Sequence, residues 1–200
     1  MGLVVRQRST ATDEAIAEEE ARLLRRTQSC SAEFAPLYER YFLQIYAYCL
    51  RRVGRTEEAE DLTSSIFARA LSGAAGYHGG SVAAWLFRIA HNAVIDYLRR
   101  NHPSLSLDAT LVGVTTHTGG WLDPTLERIV DTEARALIAR LIAALPEEQR
   151  EILALTVAGE LSAREIGLVI GKSEGAVWTA LHRITRRLRA AYQETTGGVQ

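Results

Sequence analysis

Residues 162–189 constrain the fold more than any other stretch of this chain. Ser162-Ala163-Arg164-Glu165 has the form of a capping box, a serine at the N-cap and a glutamate three residues on. Ile166, Val169 and Ile170 follow on a short helix, and Gly171 stops it. The three-residue turn Gly171-Lys172-Ser173 leaves Ser173 to cap a second helix. There Val177, Leu181, Ile184 and Leu188 repeat at intervals of four, three and four, so one face is wholly apolar. Thr179, His182, Arg183 and Arg186 occupy the opposite side, with Trp178 and Arg187 on its flanks. Two short helices, a glycine turn and a basic outer face form the pattern of a helix-turn-helix, whose second helix enters a major groove. The same spacing also suits a helical hairpin with a solvated arginine face.

Charge supports a polyanion partner once the chain is divided. The formal net charge is −1. Residues 127–160 hold four arginines against seven acids, whereas residues 161–190 hold six basic groups against two acids. The near-neutral total therefore hides a basic C-terminal segment. Lys172 is the single lysine among 23 basic residues. Arginine suits bidentate contact to phosphate and guanine, although a GC-rich genome produces the same bias.

With 47% hydrophobic and 24% charged residues, the 200-residue chain reads as one large or two small globular domains. No apolar run approaches the roughly 18–20 residues of a membrane helix, so no membrane insertion is expected. Residues 1–10 carry arginines without a following apolar segment, which argues against a secretory signal. Cys30 and Cys49 form no CxxC and the histidines are scattered, so a cytoplasmic protein without metal or cofactor is expected. Cys49 reads as a core residue and Cys30 as idle.

Helical periodicity dominates, and only a short piece near 111–116 invites a strand. The chain divides into an N-terminal extension (1–31), a helical block (32–102), a linker (103–126), a second helical block (127–193) and a tail (194–200). The extension holds a helix near 13–26 with few apolar residues to dock it, so it is expected to be loosely packed or partly disordered. Within the first block Phe34, Leu37, Tyr41, Ile45 and Tyr48 or Cys49 share a face, and Gly54 ends that helix. Thr56 is the expected cap of the next helix, with Leu62, Ile66 and Ala70 inward. Gly73, Gly76, Gly79 and Gly80 surround Tyr77 and His78 in a loop. A long helix resumes at Ser81, with Val82, Trp85, Leu86, Ile89, Ala93 and Tyr97 as its buried stripe. In the second block, Pro146 is expected in the first turn of a helix that stops near Gly159.

Arg88, His91, Asn92, Arg99 and Arg100 fall off that stripe beside the glycine loop. Basic and amide groups next to a flexible loop suit single-stranded DNA and an unstacked base. No nucleophile elbow, phosphate-binding glycine loop or metal-ligand cluster is present, which argues against an enzyme.

The residues also carry a family resemblance. Residues 81–100 (SVAAWLFRIAHNAVIDYLRR) resemble conserved region 2 of bacterial sigma-70-type initiation factors, where WLxxIAxN…DxLRR is typical. Glu58-Ala59-Glu60-Asp61-Leu62, followed by Ile66-Phe67 and Ala70-Leu71, looks like the start of that region's polymerase-binding helix. Residues 143–192, from AALPEEQREILAL to ALHRITRRLRAAY, resemble region 4. The order, with no region 3 between, is similar to the extracytoplasmic-function class.

The resemblance implies an all-α protein of two small helical domains, region 2 and region 4, joined by a flexible linker. It implies docking on the clamp coiled coil of core RNA polymerase through Asp61, Leu62, Ser65 and Phe67, with region 4 at the flap. It implies minus-ten strand contacts from Tyr77, His78, Arg88, His91, Asn92, Arg99 and Arg100. Minus-thirty-five duplex contacts fall to Lys172, Ser173, Glu174, Trp178, Thr179, His182, Arg183 and Arg186. Promoter DNA and an anti-sigma protein are the further partners implied, and the chemistry of RNA synthesis belongs to the polymerase. A stand-alone helix-turn-helix regulator explains residues 162–189 equally well but leaves the region 2 pattern unexplained. Two departures stand out. Ser64 and Ser65 replace a frequent Gln-acidic pair, and Gly167 stands where alanine is commoner, an expected loss of about 1 kcal/mol of helix stability at most.

Overall fold

The computed structural model describes residues 10–101 and 132–196, with side chains over 14–101 and 136–194. The linker 103–126, the strand-like piece near 111–116 and the end of the tail lie outside the described residues. Among the described residues the regular elements are all helical. In order they are α1 (Thr10–Thr27), α2 (Ala35–Val53), α3 (Thr56–Gly73), α4 (Val82–Asn101), α5 (Thr132–Ala143), α6 (Glu147–Val157), α7 (Ala163–Ile170) and α8 (Glu174–Thr196). Short 3-10 turns, Ser31–Phe34 and Ala74–Gly76, precede α2 and follow α3. No helix among these is long and apolar enough to cross a membrane.

Helices α2, α3 and α4 pack on one another around Leu37, Tyr41, Ile45, Tyr48, Ile66 and Leu86. The expected stripe of α2 is buried throughout. Gly54 ends α2 in the left-handed region at φ 76°, its N–H donating to the Leu50 carbonyl. Thr56 is not the cap of α3: it is the first helical residue, and extended Arg55 precedes it without a side-chain cap. Pro146 stands at the N-cap of α6, one position before the first turn.

The described part of the N-terminal extension, α1, is docked rather than loose. Leu24 is fully buried against the bundle and Glu20 is nearly so. Burying a carboxylate is costly unless donors meet it. Tyr41 Oη donates to Glu20 at 2.9 Å and Arg40 at 2.6 Å. Burial, then the Glu20 charge, pushes the Tyr41 phenol well above its ordinary range. Gln28 Nε2 donates to the Ala74 carbonyl at 3.2 Å, fastening α1 to the turn before the glycine loop.

The stripe expected on α4 is only part of what the helix buries. Val82, Leu86 and Ala93 are buried, and Trp85, Ile89 and Tyr97 are half-buried. Phe87, Ala90 and Val94 are buried as well, in a helix that packs against α7 as well as α2 and α3. The apolar core is thereby continuous from α2 through α4 to α6, α7 and α8.

Cys49 is buried and Cys30 exposed. Burial pushes the Cys49 thiol up to about 12, so it stays protonated and unreactive at pH 8. A thiol-titrating disulfide reagent at pH 8 should count one fast thiol in the native chain and two in denaturant. Two fast thiols without denaturant would show that Cys49 is not sealed.

Candidate nucleic-acid interface

The helix-turn-helix arises from its local chemistry. Glu165 N–H donates to Ser162 Oγ at 3.3 Å while Ser162 N–H donates to Glu165 Oε2 at 2.9 Å, closing the capping box. Gly171 takes φ 71°, and the N–H groups of Gly171 and Lys172 both return to the Gly167 carbonyl. This wrap brings the chain tightly over Gly167. A Cβ there would lie 2.5 Å from the Lys172 carbonyl oxygen. Glycine at 167 is thus a requirement of the turn, beyond its effect on helix propensity. Ser173 Oγ accepts from Ala176 N–H at 3.3 Å and caps α8.

Val177, Leu181 and Ile184 face inward and are buried. Ser173, Glu174, Thr179, His182, Arg183 and Arg186 are exposed on the other side of α8, and Trp178 is 48% exposed. Lys172 Nζ reaches Glu148 on α6 at 2.8 Å. The basic face is therefore uncovered, with a shallow groove between α6 and α8 lined by Gln149, Lys172, Thr179 and Arg183.

The second set of expected contacts divides. His78, Asn92, Arg99 and Arg100 are exposed. Tyr77 is buried: its hydroxyl donates to the Gly80 carbonyl at 2.7 Å and its ring meets Trp85 edge-on at 5.8 Å. It shapes the loop, where Gly79 and Gly80 adopt φ 107° and 97°, and does not project from it. Arg88 donates to the Leu168 carbonyl on α7, and His91 Nδ1 stands 2.8 Å from Glu151 Oε1 on α6. On α3, Asp61 is exposed and Ser65 half-buried. Leu62 and Phe67 are core residues, Phe67 packing among Phe34, Tyr38 and Phe42. Of the four residues expected to dock a partner, Leu62 and Phe67 are thus turned inward.

Sequence reasoning missed the polar cluster where the two blocks meet. Glu151 is nearly buried and gathers Tyr48 Oη at 2.7 Å, Arg52 and His91. Arg52 Nε stands 2.6 Å from Glu151 Oε2, a close charge pair although not aligned as a hydrogen bond. Arg52 also pairs with Glu147, which Arg150 meets at 2.5 Å. Burial raises the Glu151 carboxyl, but Arg52, then His91 and Tyr48, outweigh it and hold the carboxyl below its ordinary range. Ser81 Oγ donates to Glu165 Oε1 at 2.6 Å, a further tie between the blocks. One signal was present in the sequence: Glu151 falls four and seven residues before Leu155 and Ala158, on a buried side of α6.

Comparisons with known proteins agree with this architecture. The family models "Sigma-70 region 2" and "Sigma-70, region 4" match residues 37–103 and 135–188. The chain is 33% identical over 162 residues to the ECF RNA polymerase sigma factor SigW of Bacillus subtilis, covering 78% of this chain and 87% of that protein. It is 34% identical over 175 residues to the ECF RNA polymerase sigma factor BldN of Streptomyces coelicolor, covering 83% of this chain and 63% of that one. Among solved structures, CnrH in complex with the cytosolic domain of CnrY has the same fold, with TM-score 0.63 at 20% identity over 87% of this chain and 97% of that one. RpoE in complex with the anti-sigma factor NepR, from Bartonella quintana, gives TM-score 0.59 at 16% identity over 80% and 97%.

Proposed function

The chain belongs to the sigma-70 family, in its ECF class, and from that premise we propose how its parts divide the work of promoter recognition. It is a sigma factor that directs transcription initiation by core RNA polymerase. The observation that carries this is the presence of both regions, in order, within one chain. A stand-alone regulator needs only the second.

Residues 32–102 act as region 2 and residues 127–193 as region 4, with 103–126 between them. Region 4 reads the minus-thirty-five duplex through the exposed face of α8 and the turn before it: Lys172, Ser173, Glu174, Trp178, Thr179, His182, Arg183 and Arg186. Arginine and lysine neutralise phosphates while the N-terminal half of α8 meets base edges. Region 2 holds the unpaired minus-ten strand through His78, Arg88, His91, Asn92, Arg99 and Arg100, with Tyr77 holding the loop. Exposed Asp61 and half-buried Ser65 form the accessible part of the polymerase-docking face. The chain contributes no bond-making chemistry, and its cytoplasmic location follows from its polymerase partner. An anti-sigma protein is its proposed regulator, a reading supported by the partners in the two solved complexes of like fold.

Run-off transcription with purified core polymerase and a genomic promoter library tests the assignment. Transcripts that depend on the added chain are expected. Binding to DNA alone, with no binding to core polymerase, would establish the stand-alone regulator instead. In the same assay Arg183→Ala should weaken discrimination at the upstream element by about 1–3 kcal/mol, roughly 5- to 150-fold. Unchanged selectivity across upstream variants would remove Arg183 from the reading face.

A further inference from the structure

The polar cluster at the meeting of the two blocks is larger than holding them together requires. Ser81, Arg88 and His91 follow one another at intervals of seven and three, so they share one side of α4. All three are engaged by the C-terminal helices: Ser81 by Glu165, Arg88 by the Leu168 carbonyl, His91 by Glu151. The Leu168 carbonyl belongs to the last turn of α7, where carbonyls lack helical donors and carry partial negative charge. From α2, Tyr48 and Arg52 meet Glu151 beside them. Each basic group thus faces an anionic or electron-rich group of the other block.

Asn92 and Arg99 follow Arg88 at four and eleven residues, again on that side of α4, and both are exposed. The basic face therefore continues past the part that α6 and α7 cover. Arginine, histidine and tyrosine hydroxyl are common donors to DNA phosphates. A buried charge cluster is also a poor way to gain stability, because apolar replacements often do as well or better. Its groups, however, can be satisfied by a carboxylate, by water or by phosphate in turn.

On the reading that this chain is a sigma factor, we propose that Tyr48, Arg52, Arg88 and His91 form one anion-binding surface with two exclusive occupants. One is the chain's own C-terminal half, through the Glu151 carboxylate and the end of α7. The other is the phosphate backbone of an unpaired DNA strand. Glu151 is then an internal competitor of the promoter. A strand first engages the open part of the face at Asn92 and Arg99 and displaces α6 and α7 from the rest. While the closed form dominates, apparent affinity for the strand falls in proportion to the open fraction.

The test uses the full chain without polymerase. A donor dye on exposed Cys30 and an acceptor at Gln193→Cys report closure by energy transfer. A single-stranded dT 20-mer is the anionic probe. Saturating 20-mer is expected to lower transfer in the otherwise unmodified chain. Glu151→Gln should lower transfer without DNA and tighten 20-mer binding about 5- to 150-fold, the ordinary range of coupling between competing ligands. Adding Arg52→Ala to Glu151→Gln should remove that gain.

Transfer that does not respond to saturating 20-mer overturns the proposal. So does a Glu151→Gln chain that opens and binds no tighter. Should circular dichroism show that Glu151→Gln fails to fold, the titration of the chain with native Glu151 decides alone. Run-off transcription by the unsubstituted chain keeps the two readings apart. Promoter-dependent transcripts without a transfer response sink the competition and leave the sigma assignment standing.

Discussion

Phe87→Ala should lower the free energy of unfolding by about 3–5 kcal/mol, the ordinary loss for a fully buried phenylalanine. Phe87 has no solvent exposure, and its ring meets Tyr48 edge-on at 5.7 Å. Its Cε1 atom also lies against Gly159, at the corner between α6 and α7, where a Cβ would approach it to 3.0 Å. One side chain thus joins α2, α4 and the α6–α7 corner. Truncation removes the ring from all three, and three helices cannot all close on the same void. Phe87→Leu, which keeps most of the apolar volume, should lose less than half as much. Urea unfolding followed by circular dichroism measures both. A loss below about 1 kcal/mol for the alanine variant would mean that the corner is loosely packed.

Gly167→Ala separates local propensity from tertiary geometry, because the two predict opposite signs. In a free helix the change stabilises by about 1 kcal/mol. In this chain the added carbon would lie 2.5 Å from the Lys172 carbonyl oxygen, a backbone atom that cannot rotate away. The turn must open, and overpacking of this kind destabilises by about 1–3 kcal/mol. Opening it also moves Lys172 and Ser173 and tilts the start of α8. Gly167→Ala should therefore unfold at lower temperature and bind minus-thirty-five duplex more weakly. A raised melting temperature with unchanged duplex binding would show that the turn has room.

The helix-turn-helix was legible because its determinants are local. Ser162 and Glu165 are three residues apart, Gly171 stands where the left-handed turn is needed, and Ser173 caps α8. The stripe of α2 was legible for the same reason, being buried on one side only. Helix α4 was read by halves. Periodicity found one apolar side, but Phe87, Ala90 and Val94 are buried as well in a helix packed against α2, α3 and α7, and packing from more than one side is something periodicity within α4 cannot announce. Leu62 and Phe67 fit a docking motif and a core stripe equally well, and in this fold both are core. The docking of α1 rests on Glu20 finding Tyr41 and Arg40, a pairing of polar groups that apolar counting overlooks. Glu151 was hidden most deeply, since its partners Tyr48 and His91 lie 103 and 60 residues away.

That separation constrains how the sequence can change over generations. Position 151 faces a phenol, a guanidinium and an imidazole contributed by two helices of the other block. Loss of its carboxylate alone strands a buried Arg52, whose side chain is only 4% exposed, and an uncompensated buried charge destabilises by about 3–5 kcal/mol. Loss of Arg52 alone leaves the buried Glu151 charge without its guanidinium, held only by Tyr48 and His91. Neither position can drift by itself, whereas a joint exchange for apolar residues is tolerable. Descendants of this sequence should therefore keep or lose positions 48, 52 and 151 as a set, and that set would mark in an alignment which lineages retain the closed interface.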